Sequence, residues 1–116
     1  MGLTKGDIVL VEFPFIDLSQ TKLRPAVILT LNSAIDEFTV CFISSQNVDR
    51  LNPTEFALLD SDLEFAQTGL RISSKVRVTR ITTISRQLIT KRLGKLGTQN
   101  LRQLDETLIQ AFQLTP

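Results

Sequence analysis

The sequence predicts a mainly β domain, a small barrel of short strands with one amphipathic helix at the C-terminal end. Three observations predict it. Short runs rich in Val, Ile and Phe recur between clusters of turn-forming residues. One stretch alone, 98–114, carries apolar residues at helical spacing. Short strands leave unpaired edges, which a barrel or a dimer covers.

The elements follow in order. Asp7 to Phe13 reads as a strand whose two faces are both apolar near its centre, and Pro14 ends it by removing a ladder donor. Phe15 to Lys22 reads as a polar loop with Asp17, Ser19, Gln20 and Thr21 as turn formers. Pro25 to Leu31, led in by Leu23 and Arg24, is a second strand; Phe38 to Ser44 is a third; Thr54 to Leu59 is a short fourth. Asp60 to Ala66 is open between a helical turn and a loop, closed by Gly69. Ser74 to Arg80 alternates cations and Thr with Val, as a strand with one solvated face does. Ser85 is placed to cap a helical turn through Leu88, and Ile89 to Leu96 forms a last strand with Gly94 as a possible bulge. Gly97 and Thr98 break the chain and cap a helix, Thr98 to Leu114, with the stripe Leu101, Leu104, Leu108 and Phe112.

At 116 residues the chain fits one domain, 1–116, which buries roughly two-thirds of its unfolded surface and needs no disulfide or metal to fold. Its single cysteine, Cys41, forms no intrachain bridge and reads as a small core residue. No apolar run approaches the roughly 20 residues of a membrane span. No leader of apolar residues opens the sequence, and Met1-Gly2 with Lys5 is a poor acylation match, so the expected location is the cytoplasm, with no membrane partner. Histidine is absent. That removes zinc sites of the usual kind, Ser-His and Cys-His nucleophile pairs, and two-histidine acid–base cleavage of RNA. Asp60-Ser61-Asp62-Leu63-Glu64 alternates carboxylates but lacks the glycine and the later glutamate of a calcium loop; it reads as a solvated cap, not a metal site.

The formal net charge is +1, but its distribution is uneven. Residues 1–66 hold four Lys or Arg against ten Asp or Glu, and residues 67–116 hold nine against two. Such asymmetry fits either a polyanion-facing surface or cations that pair with the acidic first half across the fold.

Six segments in register carry a resemblance. They are Lys5-Gly6-Asp7-Ile8-Val9-Leu10-Val11 with Phe13-Pro14-Phe15; Leu23-Arg24-Pro25-Ala26-Val27-Ile28-Leu29; Ile43-Ser44-Ser45; Gly69-Leu70 with Ser74 and Arg77; Leu93-Gly94-Lys95-Leu96; and the helix that follows. Together they resemble the PemK/MazF toxins of type II toxin–antitoxin systems, over nearly the whole chain. The resemblance implies an SH3-like barrel of the CcdB/MazF kind and a homodimer. It implies sequence-selective, metal-free cleavage of single-stranded RNA to 2′,3′-cyclic phosphate and 5′-hydroxyl ends, with no cofactor. It also implies a cognate antitoxin that occupies the RNA groove.

RNA carries its own nucleophile, the 2′-hydroxyl, so a chain without histidine is not disqualified. Arg24 resembles the family's catalytic arginine. Its planar guanidinium matches two phosphate oxygens and is suited to the charge they gather in the transition state. Ser44 resembles the hydroxyl that orients the phosphate or the 2′-hydroxyl; with no base beside it, it is not itself an attacking group. Arg77 is a further candidate, but some relatives carry an Asp two residues later where this chain has Thr79, so a base on that strand is missing. Lys22, Ser45, Arg71, Lys75 and Arg80 are candidate RNA contacts beside it. Phe15 has two readings, a plug at the barrel end or a base-stacking ring. The competing functions are a gyrase-poisoning binder of the same fold and a silent nucleic-acid-binding or protein-binding barrel.

Overall fold

A computed structural model describes residues 2–14 and 21–115, with the backbone alone for Pro14 and Thr21. The strands are β1 (Asp7–Pro14), β2 (Thr21–Asn32), β3 (Glu37–Ser44), β4 (Glu55–Leu58), β5 (Ser74–Ser85) and β6 (Ile89–Lys95), and helix α1 is Thr98–Ala111. Single 3-10 turns occupy Ala66–Thr68 and Arg86–Leu88. Every strand pairing is antiparallel, in the order β4-β5-β3-β2-β1-β6. The mainly β expectation with a C-terminal helix therefore holds. Phe15, and most of the loop expected around it, lies outside the described residues.

Alternation sorts the apolar residues onto two faces of this sheet. Ile8, Val27, Cys41, Ile43 and Val76 point one way and meet Leu101, Leu104 and Leu108 of α1. Val9, Val11, Ala26, Ile28, Phe38 and Val40 point the other way, under Leu3, Leu88 and Ile89. Burial pushes the Cys41 thiol up to about 12, against hydrogen bonds to its own backbone and that of Val27, so it behaves as a core residue and not a nucleophile.

Among the described residues no ladder joins β4 to β6. Backbone approach between the Ala66–Thr68 turn and β6 covers that side instead. A Cβ on Gly94 would stand 2.2 Å from the Gln67 carbonyl oxygen, and one on Gly69, at φ 74°, would stand 2.0 Å from that of Leu93. Gly94 thus serves close packing. One β1–β6 irregularity falls beside it, between Ile8 and Val9, and a second lies further along, between Leu10 and Val11.

Several boundaries differ from the sequence reading. β2 begins at Thr21, so Lys22, read as loop, belongs to the strand. β5 runs on to Ser85, past Arg80, because its register against β3 jumps from Phe42↔Arg77 to Cys41↔Ile81; the extra residues 78–80 hide the alternation. α1 ends at Ala111, which leaves Phe112 and Leu114 beyond it and exposed. The N-cap of α1 is Gly97, with no capping side chain of its own. Glu64 supplies the cap from a distance: its Oε2 accepts from the Gln99 N–H at 3.0 Å and its Oε1 from the Asn100 N–H at 3.1 Å. A carboxylate at a helix N-terminus satisfies orphan donors and opposes the positive end of the dipole.

Glu55 ties the end of the sheet to the loop that precedes β4. Its side chain is 3% exposed and receives Lys75 Nζ at 3.0 Å and Arg77 Nε at 2.9 Å. Oε1 also accepts the Asn52 N–H at 3.2 Å, and Lys75 Nζ donates to the Arg50 carbonyl at 3.3 Å. Burial alone would push the Glu55 carboxyl up; the hydrogen bonds from Lys75, Asn52 and Arg77, with the Lys75 charge, outweigh it and hold it below its ordinary value of 4.5.

Two outcomes are expected. Gly94→Ala forces backbone apart and lowers unfolding free energy by about 1–3 kcal/mol in urea titrations; an unchanged midpoint contradicts the packing role. Glu55→Gln leaves Lys75 buried without a counter-charge and costs about 3–5 kcal/mol at neutral pH. A depressed folded pKa gives stability that is complete above the ordinary 4.5 and drains as pH falls through the lower folded value. The stability gap between wild type and Glu55→Gln therefore closes in acid; a gap that stays constant below 4.5 rules this out.

Candidate nucleic-acid interface

Pro25 sets the geometry of the candidate site. Proline carries no N–H, and it disfavours helical backbone in the residue before it, so Arg24 is held extended. The β2–β3 ladder starts one residue later, at Ala26↔Phe42. Arg24 on β2 and Ser44 at the close of β3 thus lie beyond the last pair, where the strands are no longer joined. Each is two residues on from that pair, so their side chains leave the same face of the sheet.

A groove of about 280 Å³ opens there. Lys22, Arg24, Ser44, Ser45 and Arg71 line it, so five of the residues singled out from the sequence come together. Its apolar wall is Leu23, Pro25, Ile43, Leu70 and Ile72, and Leu23 and Ile72 stand 51% and 59% exposed. Arg24 and Arg71 are exposed, and among the described residues neither side chain has a hydrogen-bond partner. Ser44 Oγ accepts the Gln46 N–H at 3.1 Å. That bond fixes the start of the loop after β3 and leaves the hydroxyl proton available to donate. No Asp or Glu lines the groove among the described residues, so its field is positive.

The other three candidates are placed differently. Lys75 is 7% exposed and bound to Glu55 and to the Arg50 carbonyl; it faces the same side as Ser44, its partner across the β3–β5 ladder, but from beneath the surface. Arg77 is half-buried with its Nε on Glu55. Arg80 is exposed in the irregular stretch of β5 and does not line the groove. Thr79 is exposed and supplies no base. The charge asymmetry is thereby resolved in two parts. Lys75, Arg77 and Arg92 pair with Glu55 and Asp7 of the acidic half, whereas Arg71 joins Lys22 and Arg24 at the groove.

Two features escaped the sequence reading. Gln46 and Ile72 line the groove although they carry no motif, and Leu70, of the Gly69-Leu70 segment, lines it although the sequence reading gives it no site role. Glu55 organises two cations although it lies in a short strand with no flanking pattern. A larger cleft, about 570 Å³, runs between residues 61–64 and α1, and Glu64 and Asn100 across it are already joined. No group of three or more His, Cys, Asp or Glu among the described residues is arranged to hold a metal ion. Among the described residues no helix is long and apolar enough to cross a membrane.

Comparison with known proteins agrees with the fold. Three solved structures have the same fold. A chain of the MazE–MazF complex of Deinococcus radiodurans matches with TM-score 0.75, at 18% identity, over 97% of each chain. The Mycobacterium tuberculosis toxin MazF-mt6 matches with TM-score 0.71, at 24% identity, over 95% of this chain and 99% of its own. An endoribonuclease bound to its cognate antitoxin, from a mycobacterial species, matches with TM-score 0.72, at 17% identity, over 99% of each. No curated protein matches the chain in sequence. The family model described as PemK-like, MazF-like toxin of type II toxin–antitoxin systems matches residues 4–112, and the chain belongs to that family.

Proposed function

We propose that this protein is a toxin that cuts single-stranded mRNA without a metal, leaving 2′,3′-cyclic phosphate and 5′-hydroxyl ends and so arresting translation. The observation that carries the reading is the convergence of Arg24, Ser44, Ser45, Lys22 and Arg71 on one positive groove. Membership of a toxin family supports it.

The chemistry follows from those groups. The substrate's 2′-hydroxyl gives up its proton to water as its oxygen attacks the adjacent phosphorus; the bond from phosphorus to the 5′-oxygen breaks, and that oxygen takes up a proton. Charge builds on the two non-bridging oxygens in between. Arg24 donates to that pair, and an extended backbone before Pro25 presents its guanidinium without reorganisation. Ser44 donates its free hydroxyl proton to the same phosphate or to the 2′-oxygen and fixes the attack geometry. Lys22 and Arg71 hold neighbouring phosphates, a salt-dependent contribution. Ser45 sits next along the same path. Arg77 reaches the strand only with the guanidinium nitrogens that Glu55 leaves unused, and Lys75 acts by positioning. With no carboxylate at the groove among the described residues, phosphorane stabilisation by Arg24 and orientation supply the acceleration, and the water that took the 2′-hydroxyl proton returns one to the leaving oxygen.

The protein acts in the cytoplasm as a homodimer, held inactive by an antitoxin segment that fills the groove. Relatives of the fold solved with antitoxins support that partner. The competing reading, a gyrase-binding toxin of the same fold, needs no cations at the groove and is disfavoured by the two unpartnered arginines there.

The test is an in vitro digest of a long single-stranded RNA in EDTA, with fragment ends mapped. Wild type is expected to give discrete cuts with cyclic phosphate ends, and Arg24→Ala to cut about 100- to 1,000-fold more slowly while melting normally. Intact RNA with folded wild type, or equal rates for the variant, overturns the proposal.

A further inference from the structure

The sheet face that carries Arg24 also carries a ring pair. Phe13 pairs with Lys22 and Val11 with Arg24 across β1 and β2, so all four side chains leave the same side. Phe42 pairs with Ala26, two residues beyond Arg24, and lies on that side too. The rings of Phe13 and Phe42 meet with centroids 5.2 Å apart and planes tilted by 43°. Phe42 is half-buried on the Val9, Val11 and Ala26 cluster, whereas Phe13 is 36% exposed. The pair stands where the apolar part of this face gives way to its cationic end.

A phenyl ring placed for burial alone would join the aliphatic cluster. Here one ring is fixed from below and the other keeps surface open to water, one strand from the guanidinium of Arg24. We infer that Phe13, seated on Phe42, is a stacking platform for one nucleobase of the RNA, next to the phosphate that Arg24 holds. The inference rests on the ribonuclease reading and adds a base subsite to it. A nucleobase is the occupant the surroundings select. Single-stranded RNA offers flat faces at intervals along a polyanion, and Lys22 and Arg24 flank the ring to receive that polyanion. An apolar peptide gains nothing from those two cations. Stacking tolerates any base, so the platform fixes the strand's register and leaves base choice to other groups.

The chain contains no tryptophan, so Phe13→Trp installs a sole indole reporter at the platform. The probe is a fluorescein-labelled 2′-fluoro strand of the sequence that wild type cuts, which lacks the attacking hydroxyl. Binding is read by anisotropy and stacking by indole quenching. Quenching is expected, and it disappears when one particular nucleotide is replaced by an abasic unit. Phe13→Leu keeps apolar bulk without a π face and is expected to bind about five- to a hundred-fold more weakly. Binding without quenching, with Phe13→Leu equal to wild type, overturns the platform and leaves the ribonuclease intact. If Phe13→Leu does not fold, quenching in Phe13→Trp alone decides. An indole emission shift that follows protein concentration without RNA puts a second copy on the ring and also overturns it. A wild type that neither binds nor cuts any RNA brings down the ribonuclease reading first, and the platform with it.

Discussion

One carboxylate beneath the surface decides what the rest of the site can be. Glu55 is 3% exposed and holds two cations, Lys75 and Arg77, from the neighbouring strand. A buried charge is tolerated only when paired and fully hydrogen-bonded, and the Glu55 side chain reaches that state with three bonds, from Asn52, Lys75 and Arg77; Lys75 donates in turn to the Arg50 carbonyl, so the loop is pinned at Arg50 and Asn52. The pairing draws two cations away from a polyanion and neutralises one of their two charges. The cations that line the groove are others: Lys22, Arg24 and Arg71. The loop held by Glu55 at one end is held at the other by Ser44, the hydroxyl that lines the groove. Stability and site geometry are thereby joined in one network.

Pro25 contributes the second constraint. It delays the β2–β3 ladder until Ala26, so Arg24 and Ser44 sit on strand ends that share a face and are free of each other's backbone. A full ladder would have closed this gap. The opposite side of the sheet is occupied by the α1 stripe, whose start is set by Glu64 from the 61–64 segment. The sheet thus divides its labour: one face is packed under the helix, and the other runs from an aliphatic cluster, through Phe13 and Phe42, to the cations.

The strands and the helix were legible because they depend on local alternation and periodicity. Asp7–Pro14 and Ser74 onward follow period two, and Leu101, Leu104 and Leu108 follow the helical stripe. Arg24 and Ser44 were legible through the resemblance, not through composition. The errors have physical sources. Residues 78–80 interrupt alternation, so the second half of β5 was not seen. Helical spacing continues to Phe112 although the backbone has already left the helix at Ala111. The Glu64 cap and the Glu55 network depend on contacts across 35 and 20 or more residues, which no local pattern encodes. The sequence separated neither Lys75 from Arg71 nor structural cations from groove cations; only the position of Glu55 does.

The proposed ribonuclease binds RNA across the end of β2 and β3, not along α1. Amide chemical-shift mapping with a 2′-fluoro RNA strand separates the two places. The largest changes are expected at Arg24, Ser44, Ser45, Gln46 and Arg71, with little at residues 99–106 of α1. Changes concentrated on 99–106 and the cleft beside Glu64, with the groove silent, rule the groove out.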